Sequence, residues 1–309
     1  MTRMTSLSPA SAADELRQRL RALGLILLAF FCFACLDTTA KYLSAELSSA
    51  QIVWMRFFTH LLFAIALLRP WRAWPRHLPR KRPLQIARGL LLLATTTLNF
   101  IAVRYLQLAE TSSIFFLAPF IVTALAGPLL GEWAGPRRWA AILIGFVGAL
   151  FIIRPVPGAF QPAMLISLAA TASYAFYVLL TRLLAGRETA ESMIILPAAI
   201  ASLAMLPPGL AMWEEVPGAF AWLLLLSTGI FGGIGHWFLI KAHELAPAPV
   251  LAPFVYTQLI WMAGLGFIVF GDVPHETTAL GAAIIVASGL YLLYRERRAG
   301  REVKLDAGV

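Results

Sequence analysis

Charge is what this chain has least of. Asp, Glu, Lys and Arg make up 13% of its 309 residues, about half of the roughly 25% carried by soluble domains. Too few polar side chains remain to cover a water-soluble globule. Acids are scarcer than bases, 16 against 25, so the net charge is +9. Cysteine is nearly absent: Cys32 and Cys35 stand three apart in the first apolar run. Two thiols supply too few ligands for a metal site, and they read as small apolar side chains on one helix face. The five histidines, His60, His77, His236, His243 and His275, form no HExxH or related spacing. A phosphate-binding GxxxxGK[ST] loop and a GxSxG nucleophile elbow are also missing. Direct ATP coupling, hydrolase chemistry and a cofactor therefore find no support. A polytopic membrane enzyme would need His, Asp or Glu gathered at one face, and the acids here are scattered.

What the chain has in abundance is apolar length. Hydrophobic residues make up 60% and the mean hydropathy is +0.77. Ten apolar runs are legible, at about 22–44, 50–69, 84–104, 110–130, 137–154, 160–182, 191–211, 218–241, 247–271 and 277–294. Each is close to the ~20 residues that cross a bilayer. Runs of this kind must satisfy their own backbone hydrogen bonds, so they are expected as helices. Polar or Pro-rich joints, such as Arg69 to Pro83 and Arg154 to Pro162, separate them. Arg17, Arg19 and Arg21 before the first run imitate a secretory signal. The run continues to about residue 44 without a clean small-x-small site, so it reads as a retained first span.

Two stretches echo each other: LAETSSIFFLAPFIVTALAGPLLGEW at 108–133 and LAPAPVLAPFVYTQLIWMAGLGFIVFGDV at 245–273. Both are long apolar runs with internal proline, and both close on glycine plus an acid, Gly131-Glu132 and Gly271-Asp272. Aligning those ends matches Leu259 to Pro119, so the two LAPF tetrapeptides do not coincide. Elsewhere Lys41 faces Arg182, Arg104 faces Lys241 and Asn99 faces His236. A span that recurs points to a duplicated chain. Five spans per half is an odd number, so the second half must sit upside down relative to the first. The expected fold is an all-α membrane protein of ten transmembrane helices in two inverted five-helix repeats. The repeats are read at 22–154 and 155–294, with tails at 1–21 and 295–309. Inverted repeats suit alternating access, with substrate near the midplane between the halves.

Basic residues give the orientation. Twenty of the 25 lie at one set of span ends, while the other set holds only Lys41, Arg104 and Arg154. Both termini are thus expected in the cytoplasm, with Glu46, Glu214, Glu215, Asp272 and Glu276 outside. The +9 is a topology signal, and nucleic acid is not an expected partner.

With these features the chain resembles an EamA-type member of the drug/metabolite transporter superfamily. The resemblance rests on Arg56-Phe57 in the second span and on Ala109 through Pro119 to Gly131-Glu132 in the fourth. It extends to the Gly-rich fifth and tenth spans and to LAPF–Tyr256–Gln258–Leu259–Ile260–Trp261 in the ninth, covering about 22–294. The LAPFVYTQLIW stretch is similar to a subgroup that includes riboflavin-type and S-adenosylmethionine-type uptake carriers. Asp272 departs from the commoner Glu, and Pro197 occupies the slot matching Arg56. The resemblance implies an inner-membrane secondary transporter of a small-molecule substrate, driven by a coupling proton or by exchange. Drug or metabolite efflux is the alternative it leaves open, and it does not specify an oligomeric state.

Candidate substrate-binding or coupling residues are Asp37, Arg56, Asn99, Phe116, Tyr174, His236, Tyr256, Gln258 and Trp261. Asp37 and Arg56 are foremost, because a charge at the bilayer centre costs ~2.5–3.5 kcal/mol even on the gentler scale. They lie at similar depth in consecutive, oppositely running spans, on the order of 6 Å above the midplane. They can pair if their helix faces agree, with Lys41 a rival partner for Asp37. His60 lies one turn from Arg56 and is weighed as a proton relay against an ordinary buried histidine. Asn99 and His236 are weighed as gates against helix–helix hydrogen bonds. Trp54, Phe115, Phe116, Tyr174, Tyr177, Trp237, Tyr256 and Trp261 supply aromatic rings toward a central cavity. Pro119, Pro249 and Pro253 mark breaks at depth, and Gly229-x-x-x-Gly233 reads as close helix packing. Arg88 is a further cation within a span.

Overall fold

The computed structural model describes residues 9–68, 81–131, 133, 135–154, 160–184, 188–245 and 251–306. Every regular element among them is helical: α1 (Pro9–Leu43), α2 (Ser49–Leu68), α3 (Arg82–Tyr105), α4 (Leu108–Phe115), α5 (Ala118–Leu130), α6 (Pro136–Ile153), α7 (Ala163–Leu184), α8 (Ala190–Ala211), α9 (Gly218–Leu245), a 3₁₀ segment (Ala252–Tyr256), α10 (Thr257–Phe270) and α11 (Glu276–Asp306). Seven stretches are long and apolar enough to cross a membrane, and three shorter apolar helices complete ten spans. The expected all-α fold of ten transmembrane helices in two inverted repeats is the fold observed. Helix α1 starts earlier and α11 ends later than the apolar runs, because their polar flanks continue the same helix. Glu132, Pro249 and residues 69–80 of the second joint lie outside the described residues.

Helix ends follow local chemistry. Thr189 caps α8 by accepting from the Ser192 amide at 3.2 Å. At the start of α4 the Glu110 Oε2 accepts from the Gln107 amide at 3.1 Å, which satisfies a donor that a helix start leaves free. Gly131 and Gly271 end α5 and α10 with φ of 75° and 70°. That left-handed turn is the reason both echoing stretches carry glycine there.

The fourth span is broken, turning at Phe116 and Leu117 between α4 and α5. The ninth changes from 3₁₀ to α at Tyr256–Thr257. On the register set by the Gly-acid ends, Phe116 and Tyr256 are counterparts, so the two breaks coincide. Pro119 lies in the first turn of α5, after its break, and Pro253 in the first turn of the 3₁₀ segment, before its change to α10; at both places a missing N–H costs nothing.

The packing has the same symmetry. α1 packs on α9 and α3 packs on α7; α2 lies against α8, α9 and α3; α6 lies along α11; α1 meets α10, and α7 meets α5. Exchanging α1 with α7, α2 with α8, α3 with α9, α6 with α11 and the two broken spans maps α1–α9 onto α3–α7, α2–α9 onto the α3–α8 contact and α1–α10 onto α5–α7. The α2–α8 and α6–α11 pairings map onto themselves; the smaller α2–α3 contact has no comparable image among the described residues. Phe116 and Tyr256, counterparts by sequence, touch edge-on at 5.0 Å between ring centroids. They lie in a core with Phe120, Ile142, Met164 and Ile285. A second core joins Leu47, Ile52 and Phe57 to Met205 and Leu225. Leu143, Leu223 and Ile268 are exposed, as expected of a surface solvated by lipid.

Candidate central site

Helix α9 carries glycine where α2 comes closest. A Cβ at Gly229 would overlap the Thr59 hydroxyl and meet the His60 backbone, and one at Gly233 would strike Phe63. These positions are packing, as their spacing indicates. The close approach also carries the side chains of α2 to the second half. Arg56 reaches Gly232, where an added Cβ would stand 3.5 Å from Nη2.

Arg56 is 3% exposed. Its guanidinium lies over the Phe57 ring at 4.0 Å, while Nε and Nη1 have no hydrogen-bond partner. His60 is also buried, with both ring nitrogens unpartnered. It stacks on His236 at 5.8 Å and 12°, and His236 meets Phe33 edge-on at 5.1 Å. Asp37 projects from α1, and its Oδ1 accepts from Asn99 Nδ2 at 3.1 Å. No ion pair joins Asp37 to Arg56. Lys41 turns the other way. Its Nζ meets Asp272 Oδ2 at 2.7 Å and donates to the Leu106 carbonyl at 3.0 Å. The Asp37–Arg56 pair that their depth allows and its Lys41 rival are therefore both replaced, by Asn99 for Asp37 and Asp272 for Lys41. Sequence position sets the depth of these residues, but helix rotation assigns their partners.

A row of rings runs beside this group. Phe115 meets Tyr174 at 4.6 Å, and Tyr174 stacks on Tyr177 at 6.0 Å. The Tyr177 hydroxyl accepts from Arg88 Nη2 at 3.1 Å. Arg88 also donates to Thr181 Oγ1 (2.8 Å), Gln85 Oε1 (3.1 Å) and the Met193 carbonyl (3.0 Å). The sequence marks Arg88 only as a cation within a span. Its partners lie on α3, α7 and α8, which sequence spacing cannot bring together.

The remaining candidates separate from this group. Phe116 and Tyr256 are core residues. Gln258 is partly buried in the first turn of α10. Trp261 is 36% exposed and lies edge-on against Phe31. Trp54 stacks on Phe58 and meets Trp213. Trp237 lines a crevice with His60, Phe63, Leu67, Ile194 and Gly233.

Two segments, residues 20–154 and 161–295, each match the EamA-like transporter family. The chain belongs to that family. Among relatives, an S-adenosylmethionine uptake transporter of Rickettsia prowazekii is 27% identical over 288 residues, covering 92% of this chain and 96% of that one. A riboflavin transporter of Vibrio cholerae is 31% identical over 189 residues, 61% of this chain and 63% of that one. A pseudopaline exporter of Pseudomonas aeruginosa is 26% identical over 272 residues, 87% and 94% respectively. A solved crystal structure of another protein superposes with a TM-score of 0.64 at 19% identity, covering 89% of this chain and 98% of that one. At that identity it speaks for the fold alone. The EamA-like fold thus brings Asp37, Arg56, Asn99, His60 and His236 to the seam between α1, α2, α3 and α9, with unsatisfied donors among them. The chain is a multi-pass membrane transporter.

Proposed function

We propose that this chain is a secondary active transporter that moves a small metabolite across the inner membrane by alternating access. Riboflavin-like and S-adenosylmethionine-like compounds are the candidate substrates, and uptake is the direction. The observation that supports this reading is Arg56: a buried guanidinium with free donors at the seam between two inverted repeats. A charge in that position is costly unless it has a partner, and a site at the repeat seam is where a carrier holds its cargo. The relatives named for uptake favour import. The pseudopaline exporter, at similar identity, favours the second reading, efflux of a small metabolite.

Both termini lie in the cytoplasm on this proposal, since twenty of the 25 basic residues gather at that side. Asp37, Arg56, Asn99, Tyr174 and His236 form the site, while Phe116 and Tyr256 support it. Coupling is to a proton or to exchange. The test is flux of labelled S-adenosylmethionine and riboflavin into proteoliposomes, with and without an imposed pH gradient and with counter-substrate inside. Saturable flux of either compound is expected. Rates equal to protein-free vesicles for both, under every condition, would refute the proposal.

A further inference from the structure

We infer that the central site recognises a zwitterionic metabolite through its carboxylate, which Arg56 and His60 hold while Asp37 faces its cationic group. The inference rests on the transport reading and narrows its substrate class.

Three observations carry it. First, the positive pole is unfilled by protein. Arg56 is 3% exposed and its Nε and Nη1 have no partner. One turn away, His60 is 2% exposed with both ring nitrogens free. A neutral imidazole offers one N–H, so three donors lie on adjoining turns of α2. A guanidinium fork matches a carboxylate by geometry as well as charge. Secondly, the negative pole is separate. Asp37 accepts from Asn99 at 3.1 Å and makes no ion pair with Arg56. Lys41, the other cation on its helix, is taken by Asp272 at 2.7 Å. The nearby cation Arg88 is satisfied by four neutral acceptors. A half-buried acid and a buried base that do not bond each other suit a ligand carrying both signs. Thirdly, Phe115, Tyr174 and Tyr177 form a row of rings at 4.6 and 6.0 Å. Such faces attract a flat heterocycle or a cation. A neutral flavin would use the rings and leave Arg56 without a counter-charge. An amino-acid conjugate such as S-adenosylmethionine uses all three features.

The test measures binding to the full chain in detergent. The probes are S-adenosylmethionine, its decarboxylated form, 5′-methylthioadenosine and riboflavin. The wild type is expected to bind S-adenosylmethionine roughly 10- to 100-fold tighter than the decarboxylated form, the scale of one charged hydrogen-bonding partner. Arg56→Gln should weaken S-adenosylmethionine to the decarboxylated level while leaving the decarboxylated form unchanged. Arg56→Lys should recover part of the difference. A role for Arg56 in folding alone would lower both ligands equally. Equal affinity of the wild type for the carboxylated and decarboxylated compounds overturns the inference without any variant. So does discrimination that survives in Arg56→Gln, riboflavin binding without S-adenosylmethionine binding, or binding of none of the four. Saturable flux without carboxylate discrimination would sink this inference and leave the transport reading standing.

Discussion

Arg56 and Asp37 show how little a helix position says about a partner. Asp37 keeps one protein hydrogen bond, from Asn99 at 3.1 Å, and a side-chain amide in its place would still present an acceptor there. Asp37→Asn is therefore expected to change stability by no more than about 1 kcal/mol, the net value of a neutral hydrogen bond. Uptake of a cation-bearing substrate should fall at least about 10-fold, the loss of one charge interaction. Thermal unfolding and vesicle flux measure the two effects. Because no ion pair joins the residues, the double variant Asp37→Arg with Arg56→Asp should not regain flux. Recovery by that swap would show that they act as a direct pair. Depth is legible in the sequence because each residue advances a helix by 1.5 Å. Azimuth is not, so spacing places Lys41 beside Asp37 when it in fact meets Asp272. The Arg88 network is hidden for the same reason: its acceptors come from three helices.

At the scale of the element, the spans are legible to within a few residues, since hydrophobic length is imposed by the bilayer. The breaks are legible only in part. Proline marks the right spans, yet the turns fall at Phe116–Leu117 and Tyr256–Thr257, where packing places them. Glycine is more informative still, because its two uses can be told apart by experiment. Gly229 lies where α2 crosses α9, and a methyl group would meet the Thr59 side chain and His60 backbone. Gly229→Ala should cost about 1–3 kcal/mol, as overpacking does, and displace Arg56 with the rest of α2. Gly264, on α10, has nothing within 4 Å of an added Cβ. Gly264→Ala should be neutral or stabilising by up to about 1 kcal/mol. Thermal melts of the two variants side by side decide it, and equal losses would contradict this account of α9.

For the whole molecule, charge placement bears on orientation and repeat symmetry on mechanism. A cysteine replacing Glu215 should react with a membrane-impermeant thiol reagent in intact cells, and one replacing Arg80 should be protected. The reverse pattern would invert the topology proposed. The Lys41–Asp272 bridge joins α1 of one repeat to the end of α10 in the other. At the same end of the helices Gln51 exchanges two hydrogen bonds with the Glu214 backbone, at 2.9 and 3.0 Å. If this end must part during transport, Lys41→Cys with Asp272→Cys, bridged by a bifunctional methanethiosulfonate reagent that spans the longer gap between the two Cβ atoms, should stop flux and release it with reductant. Flux unaffected by the cross-link would mean that this end stays shut throughout the cycle.

Phe116 and Tyr256 are each other's counterparts, and they touch. A position that meets its own image lies on the axis relating the two halves, so under the alternating access proposed above this ring contact is the fulcrum. The Lys41–Asp272 bridge stands beyond the far end of α10, a lever arm of about 20 Å at 1.5 Å per residue. When the halves rock, displacement grows with distance from the pivot. Small shifts of two rings thus become the parting of a bridge. A substitution at the pivot is felt alike in both end states and alters the speed of rocking, whereas one at the tip is felt in a single state and alters the balance between them.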